Sequence, residues 1–447
     1  MIHASSISFS AALKFWLKLG FISFGGPAGQ IAIMHRELVE QRRWISEARF
    51  LHALNYCMVL PGPEAQQLAT YIGWLMHGKW GGIVAGGLFV LPSVFIMIGL
   101  SWVYLAFGTL PIVAGLLYGI KPAVCAIVLF AAWRIGGKTL KNRWLWLIAI
   151  ASFAAIFVLS TPFPLIVLFA AIAGAIGGRV APAKFSLSNA HASATQSKQP
   201  AIIDDATPSP AHARFSLAGA IKVLCIGLFM WLIAMALLVH FNGFQGTLTQ
   251  MAWFFTKAAL LTFGGAYAVL PYVYQGAVDG FAWLTPQQMI DGLALGETTP
   301  GPLIMVLAFV GFVGAWTKQV LGPDALFAAG ALAAVVVTFF TFLPSFLFIL
   351  VGGPFIESTH GQLKFTAPLT AITAAVVGVI VNLGVFFIWH VGWPKATLLA
   401  PFSGGFEWFS ALIAVAAAVA LIRFKVGIIT VLGVCAFIGI ALQILVR

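Results

Sequence analysis

Charge is scarce in this chain. Only 8% of its 447 residues are Asp, Glu, Lys or Arg, and just 12 are acidic. So thin a polar complement excludes a soluble globular protein of this length. Cysteine is scarce too. Cys57, Cys125, Cys225 and Cys435 lie far apart in apolar context, which excludes a disulfide framework or a zinc ribbon. They read as small core residues. Enzyme motifs are missing. There is no glycine-rich phosphate loop closing on Lys-Ser/Thr, no His-Glu-x-x-His and no Gly-x-Ser-x-Gly. The nine histidines are dispersed. Nucleotide hydrolysis is therefore excluded, and no enzyme activity, metal or cofactor is expected. A cleavable signal peptide is not expected either, because Lys14 and Lys18 interrupt the first apolar stretch and no small-residue cleavage site follows.

What the chain has is apolar surface. It is 61% hydrophobic with mean hydropathy +1.02. Stretches near 81–107, 111–134, 143–160, 163–179, 217–241, 325–351, 367–391, 407–423 and 426–446 each approach the ~20 residues that cross a bilayer. The class is an all-α polytopic membrane protein. The net charge of +12 suggests nucleic acid at first sight, but the basic residues sit between apolar spans, as cytoplasmic loops require.

The chain also repeats itself. Phe24-Gly25-Gly26-Pro27, Trp44 and Pro61-Gly62-Pro63 return as Phe263-Gly264-Gly265-Ala266, Trp283 and Pro300-Gly301-Pro302, at a constant offset of 239 (263 − 24). Leu91-Pro92-Ser93 returns as Leu343-Pro344-Ser345 at an offset of 252 (343 − 91), which places 13 extra residues near 317–324. Four apolar stretches, 9–38, 47–77, 248–278 and 287–316, are broken by these Gly/Pro motifs. Duplicated breaks of this kind point to a transporter binding site. The units are repeat 1–179, linker 180–215, connecting helix 216–245 and repeat 246–447. Pro, Ser, Ala, Gln and Asp make the linker read as flexible.

Loop charge sets the topology. Residues 36–49 carry Arg36, Arg42, Arg43 and Arg49, whereas the equivalent 275–288 has Asp279 and no cation. Arg134, Lys138, Lys141 and Arg143 are assigned to a loop between later spans. If each broken segment folds back as a re-entrant hairpin, all basic loops and the linker are cytoplasmic and the second repeat is inverted. If each crosses instead, the nine spans become thirteen crossings and four arginines lie outside. The positive-inside rule favours the hairpins.

The breaks are where chemistry is expected. A half-helix that starts after a break aims unpaired N–H groups and a positive dipole end into the gap, which suits an anion. Gly25, Gly26, Gly62, Gly264, Gly265 and Gly301 allow close approach, while Pro27, Pro61, Pro63, Pro300 and Pro302 interrupt the helix. Pro63 and Pro302 are placed as first-turn residues. The alternative is that these residues only kink and pack helices. Lys18 and Lys257, six positions before equivalent breaks, either make the cavity positive or snorkel to an interface. Glu64 and Glu297 either carry protons or form ion pairs and caps. Gln67, Thr298 and Thr299 either donate to an oxyanion or tie helices together.

These stretches resemble the chromate ion transporter family in its long two-domain form. The resemblance rests on Phe-Gly-Gly-Pro-Ala-Gly-Gln-Ile-Ala from 24, Leu-Pro-Gly-Pro-Glu-Ala-Gln-Gln-Leu-Ala from 60, Thr-Phe-Gly-Gly-Ala-Tyr-Ala-Val-Leu from 262 and Glu-Thr-Thr-Pro-Gly-Pro-Leu-Ile from 297. It covers both repeats. It implies a multi-pass bacterial inner-membrane protein that exports chromate, confers chromate resistance and meets sulfate as the analogue. The expected partners are chromate, sulfate, lipid and a second copy of the chain. Rival readings are a sulfate or other oxyanion importer or exchanger, and an anion channel.

Overall fold

The computed structural model describes residues 7–24, 26–185, 201–204, 210–359, 366–396 and 400–445. The first repeat holds α1 (Phe9–Ile22), α2 (Gly26–His35), α3 (Glu47–Val59), α4 (Glu64–Phe107), α5 (Pro111–Thr139), α6 (Arg143–Leu159), α7 (Phe163–Val180) and the single turn α8 (Pro182–Phe185). Helix α9 (Leu217–Asn242) follows. The second repeat holds α10 (Thr247–Leu261), α11 (Ala266–Tyr274), α12 (Pro286–Thr298), α13 (Val306–Thr317), α14 (Leu326–Thr359), α15 (Thr366–Gly392), α16 (Trp408–Ile422) and α17 (Ile428–Leu445). Among the described residues, seven helices are long and apolar enough to cross a membrane, and α6 and α16 are shorter apolar helices of 17 and 15 residues.

The broken segments fold back. Lys18 and Glu37 stand on either side of the first break, yet their charged atoms are 3.6 Å apart. A straight helix would separate residues nineteen positions apart by about 28 Å. Tyr56 and Tyr71 meet across the second break with ring centroids 5.9 Å apart. Phe254 stacks on Tyr272 across the third, and Gly292 and Gly296 face Phe309 and Val306 across the fourth. All four are re-entrant hairpins.

Helix α4 itself turns back on its course. His77 (φ −137°) and Gly78 (φ 64°) leave helical geometry, and the arms before and after them run antiparallel. Gly73 lies against Gly81 and Ala85, and Thr70 against Gly82. The second repeat makes the same reversal between α13 and α14, where Gly311 faces Val337 and Gly330 faces Phe312. Its longer turn absorbs the 13 extra residues (252 − 239) at the place the offset change indicates.

Inversion is visible where corresponding arms cross. Gly82 faces Leu350 and Gly86 faces Phe346, so residues 79–107 of α4 run antiparallel to α14. The repeats also interlock. α5 packs on α16 and α17, and α15 packs on α6 and α7. Glycines let backbones touch there: Gly119 lies on the Cys435 carbonyl and Gly378 on the Ala149 carbonyl. With no hydrophobic force between helices in lipid, such close packing supplies the cohesion. Helix α9 lies at the margin against α14 and α10.

Of the linker, 186–200 and 205–209 lie outside the described residues. The described parts are docked. Ile202 and Ile203 donate to the Arg43 and Trp44 carbonyls at 3.0 and 3.1 Å, and Ile203 is buried. The His212 Nε2–H donates to the Trp74 carbonyl at 2.9 Å, and the ring packs edge-on to the Trp74 ring. Ala201-Ile202-Ile203 is a short apolar island that overall linker composition conceals.

The inversion has a direct test. Gln41 and Gly280 are equivalent (280 − 41 = 239) and both exposed. In a background without the exposed Cys225, Gln41→Cys and Gly280→Cys should react with an impermeant thiol reagent from opposite membrane faces. Labelling from one common face would overturn the inverted arrangement.

Candidate functional site at the crossing of the four breaks

The breaks of the two repeats meet and exchange hydrogen bonds. The Gly62 N–H donates to the Thr262 carbonyl at 2.7 Å, and the Gly301 N–H donates to the Ser23 carbonyl at 2.7 Å. Gly301 and Thr262 are the repeat equivalents of Gly62 and Ser23 (301 − 62 = 262 − 23 = 239). The two bonds are therefore one bond made twice about a pseudo-twofold axis. The Leu-Pro-Ser motifs complete the crossing. The Ser93 hydroxyl donates to the Pro300 carbonyl, and the Ser345 hydroxyl occupies the space a Cβ on Gly62 would need. Gln30 reaches from α2 to donate to the Gly301 and Ser23 carbonyls.

Helix starts converge on this crossing. α2 begins at Gly26, α4 at Glu64, α11 at Ala266, and a 3₁₀ turn (Leu303–Met305) leads into α13. Pro63, Gly265 and Pro302 cap three of these starts without any side-chain acceptor. Their first N–H groups are left to other partners. Pro63 and Pro302 thus stand one position earlier than the expected first turn. The described break glycines, Gly26, Gly62, Gly264, Gly265 and Gly301, all have positive φ. Gly25 lies outside the described residues.

Buried polar atoms collect here as well. Among the described residues, Ser23 Oγ, Gln30 Oε1, Gln66 Oε1, Gln67 Oε1 and Ser345 Oγ are buried without a partner. Each such atom costs about 1–3 kcal/mol, so a cluster of them marks a place fitted to a polar guest. Gln67 meanwhile donates to the Pro61 carbonyl at 2.7 Å. The two acids approach the same helix start. A Glu64 carboxylate oxygen lies 3.8 Å from the Cβ position of Gly265, and Glu297 accepts from the Tyr267 hydroxyl.

Other expected residues are elsewhere or otherwise engaged. Thr298 and Thr299 donate their hydroxyls to the Leu295 and Gly296 carbonyls at 2.8 and 2.9 Å, so those donors are spent on α12. The structure does not bring Lys18 or Lys257 to the breaks. Lys18 is 55% exposed and pairs with Glu37, while Lys257 is exposed over the Trp253 ring at 5.8 Å. The cations that act on the acids are Lys138, on Glu64, and Arg134, on Glu297 and Tyr267. Both belong to α5, which runs on to Thr139, and not to a loop. Tyr267, Gln30, Arg134 and Lys138 were not legible as site residues.

The sequence model described as chromate transporter matches residues 10–175 and 249–440. The chain belongs to the chromate transporter family. The two matched regions fall on the two repeats and leave out the linker and α9. The Chromate transport protein of Pseudomonas aeruginosa is 35% identical over 373 residues, 82% of this chain and 77% of the relative. The Chromate transport protein of Cupriavidus metallidurans is 31% identical over 370 residues, 82% and 80% of the two chains. The Probable chromate transport protein of Synechococcus elongatus is 30% identical over 369 residues, 82% and 81%. No solved structure matches. Together with its apolar helices, this membership makes the chain a multi-pass membrane transporter.

Proposed function

We propose that this chromate transporter family member is a secondary transporter that carries chromate, a tetrahedral dianion, outward across a bacterial inner membrane and so confers chromate resistance. The observation that carries the reading is the reciprocal Gly62–Thr262 and Gly301–Ser23 crossing. It gathers helix starts from two inverted repeats around one polar spot. The relatives' names give the anion. Arg134 and Lys138 take the place of Lys18 and Lys257 as its cations, and Glu64 and Glu297 compete with it for them. The basic loop 36–49 and the linker face the cytoplasm.

Voltage suits export. Moving one charge through ~100 mV is worth about 2.3 kcal/mol, so a dianion leaving an inside-negative cell gains about 4.6 kcal/mol. At ~1.4 kcal/mol per decade this sustains a gradient on the order of 10³ without a coupling ion. Everted vesicles given an interior-positive potential and no pH gradient should accumulate chromate, with saturation and with inhibition by sulfate. Accumulation only with a pH gradient would make a proton the driver. Flux that never saturates would make the protein a channel.

A further inference from the structure

Two charge clusters, each with a buried carboxylate and a half-buried base, sit at opposite ends of the crossed pair α4 and α14. At one end, Asp291 of α12 is 2% exposed. Its Oδ1 lies 3.1 Å from Lys121 Nζ of α5, and its Oδ2 accepts from the Tyr104 hydroxyl of α4 at 2.9 Å. At the other end stands Glu357 of α14. Its Oε2 lies 3.0 Å from Arg49 Nη1 of α3, and its Oε1 accepts from the Tyr71 hydroxyl of α4 at 2.6 Å. Each cluster brings together an acid, a base and a tyrosine. The antiparallel run of α4 and α14 puts Tyr104 and Glu357 towards opposite faces.

The clusters hold equivalent things. α3 and α12 are the half-helices that lead into Pro61-Gly62-Pro63 and Pro300-Gly301-Pro302. Glu357 ties α3 of the first repeat to the second, and Asp291 ties α12 of the second repeat to the first. Yet the residues are not repeat equivalents. Gln288 stands where Arg49 has its counterpart, and His52 where Asp291 does (offset 239). The same device has been built from different residues at each end, so it is more than a relic of duplication.

We propose that Asp291–Lys121–Tyr104 and Glu357–Arg49–Tyr71 are the two gates of the transport path, both shut in this structure. The assignment rests on the transporter reading given above. Desolvation offsets most of the attraction in a buried ion pair, so the pair adds little net stability while its separated partners hydrate readily. A pair of this kind suits a contact that must form and break in every cycle. Opening the Asp291 gate frees α12 and exposes the crossing to the face of loop 275–288. Opening the Glu357 gate frees α3 and exposes it to the face of loop 36–49. The Arg49 Nε also donates to the Asp204 carbonyl at 3.2 Å, so the docked linker braces the second gate.

The test reads accessibility, not flux. Ser345→Cys at the crossing serves as reporter after Cys57, Cys125, Cys225 and Cys435 are replaced by serine, and an impermeant methanethiosulfonate is applied from each face. Lys121→Gln/Asp291→Asn removes both charges and strands neither. It should raise labelling from the 275–288 face roughly tenfold, the population change that a bias of about 1.4 kcal/mol produces, and leave the other face unchanged. Arg49→Gln/Glu357→Gln should do the opposite. The reversed pair Lys121→Asp/Asp291→Lys should bring labelling back down. Equal increases from both faces, or none from either, would overturn the gates. Side-specific labelling, together with no chromate flux by the chain that keeps native Ser345, would keep the gates and sink the substrate. Saturable flux without side-specific labelling would do the reverse.

Discussion

Replacing Gly62 or Gly301 with alanine is expected to cut transport by about 100-fold or more, while the same change at Gly26 costs roughly tenfold. All three glycines have positive φ, +129°, +97° and +70° in that order. An L side chain there is strained by about 1–3 kcal/mol. The positions differ in the space beside them. A Cβ on Gly62 would overlap the Ser345 hydroxyl and lie 2.5 Å from Gln67 Nε2. A Cβ on Gly301 would overlap the Ser93 hydroxyl, with the Phe89 carbonyl at 3.3 Å. Nothing lies within 4 Å of a Cβ on Gly26. Relieving either clash pushes the repeats apart and stretches the 2.7 Å crossing bonds. A buried N–H left unpaired adds about 1–3 kcal/mol. Strain and lost bond together come to roughly 2–6 kcal/mol, and all of that range above about 2.8 kcal/mol passes 100-fold at ~1.4 kcal/mol per decade. Initial rates of chromate accumulation, normalised to protein in the membrane, give the comparison. Adding Ser93→Gly to Gly301→Ala vacates the contested space and should recover part of the loss. No recovery would show that the overlap is not the cause.

Much of this fold was legible because its signals are local. Glycine and proline mark the breaks whatever surrounds them, and the arginines of 36–49 against Asp279 order the loops without reference to packing. The re-entrant hairpins and the inversion followed from those two signals. The lysines misled because position along the chain does not reveal the face of a helix. That signal was nonetheless present. The buried residues of α1 include Ala12, Phe15, Trp16 and Leu19, and those of α10 include Met251, Phe254, Phe255 and Ala258, the same stripe displaced by 239. Lys18 and Lys257 lie off that stripe, and helical periodicity puts them outside. Arg134 and Lys138 were missed for the opposite reason. A cation ends an apolar window, so α5 seemed to stop where in fact it runs on to Thr139. The pairings of Asp291 with Lys121 and Glu357 with Arg49 join residues 170 and 308 positions apart (291 − 121; 357 − 49), beyond the reach of any local pattern.

Replacing Arg134 and Lys138 together with glutamine is expected to raise the chromate concentration for half-maximal transport about 100-fold, whereas Lys18→Gln/Lys257→Gln should leave it within about twofold. The difference lies in where the charges act. Arg134 and Lys138 act on Glu297 and Glu64, whose carboxyl groups border the crossing. At an effective dielectric of ~20, a unit charge ~6 Å from a dianion is worth about 5–6 kcal/mol. The two carboxylates offset part of that, and a net loss of ~3 kcal/mol corresponds to about two decades. Lys18 spends its charge on Glu37 at a half-exposed site, where such pairs contribute ~1 kcal/mol or less. Lys257 faces the Trp253 ring on the outer surface of α10. The acids should show the reverse sign. Glu64→Gln/Glu297→Gln removes the internal competitors for the same cations, so the anion should bind more tightly and leave more slowly. Concentration dependence of initial rates separates the three double variants. Equal weakening by the Lys18/Lys257 and Arg134/Lys138 pairs would mean that long-range surface charge, and not a site at the crossing, governs affinity.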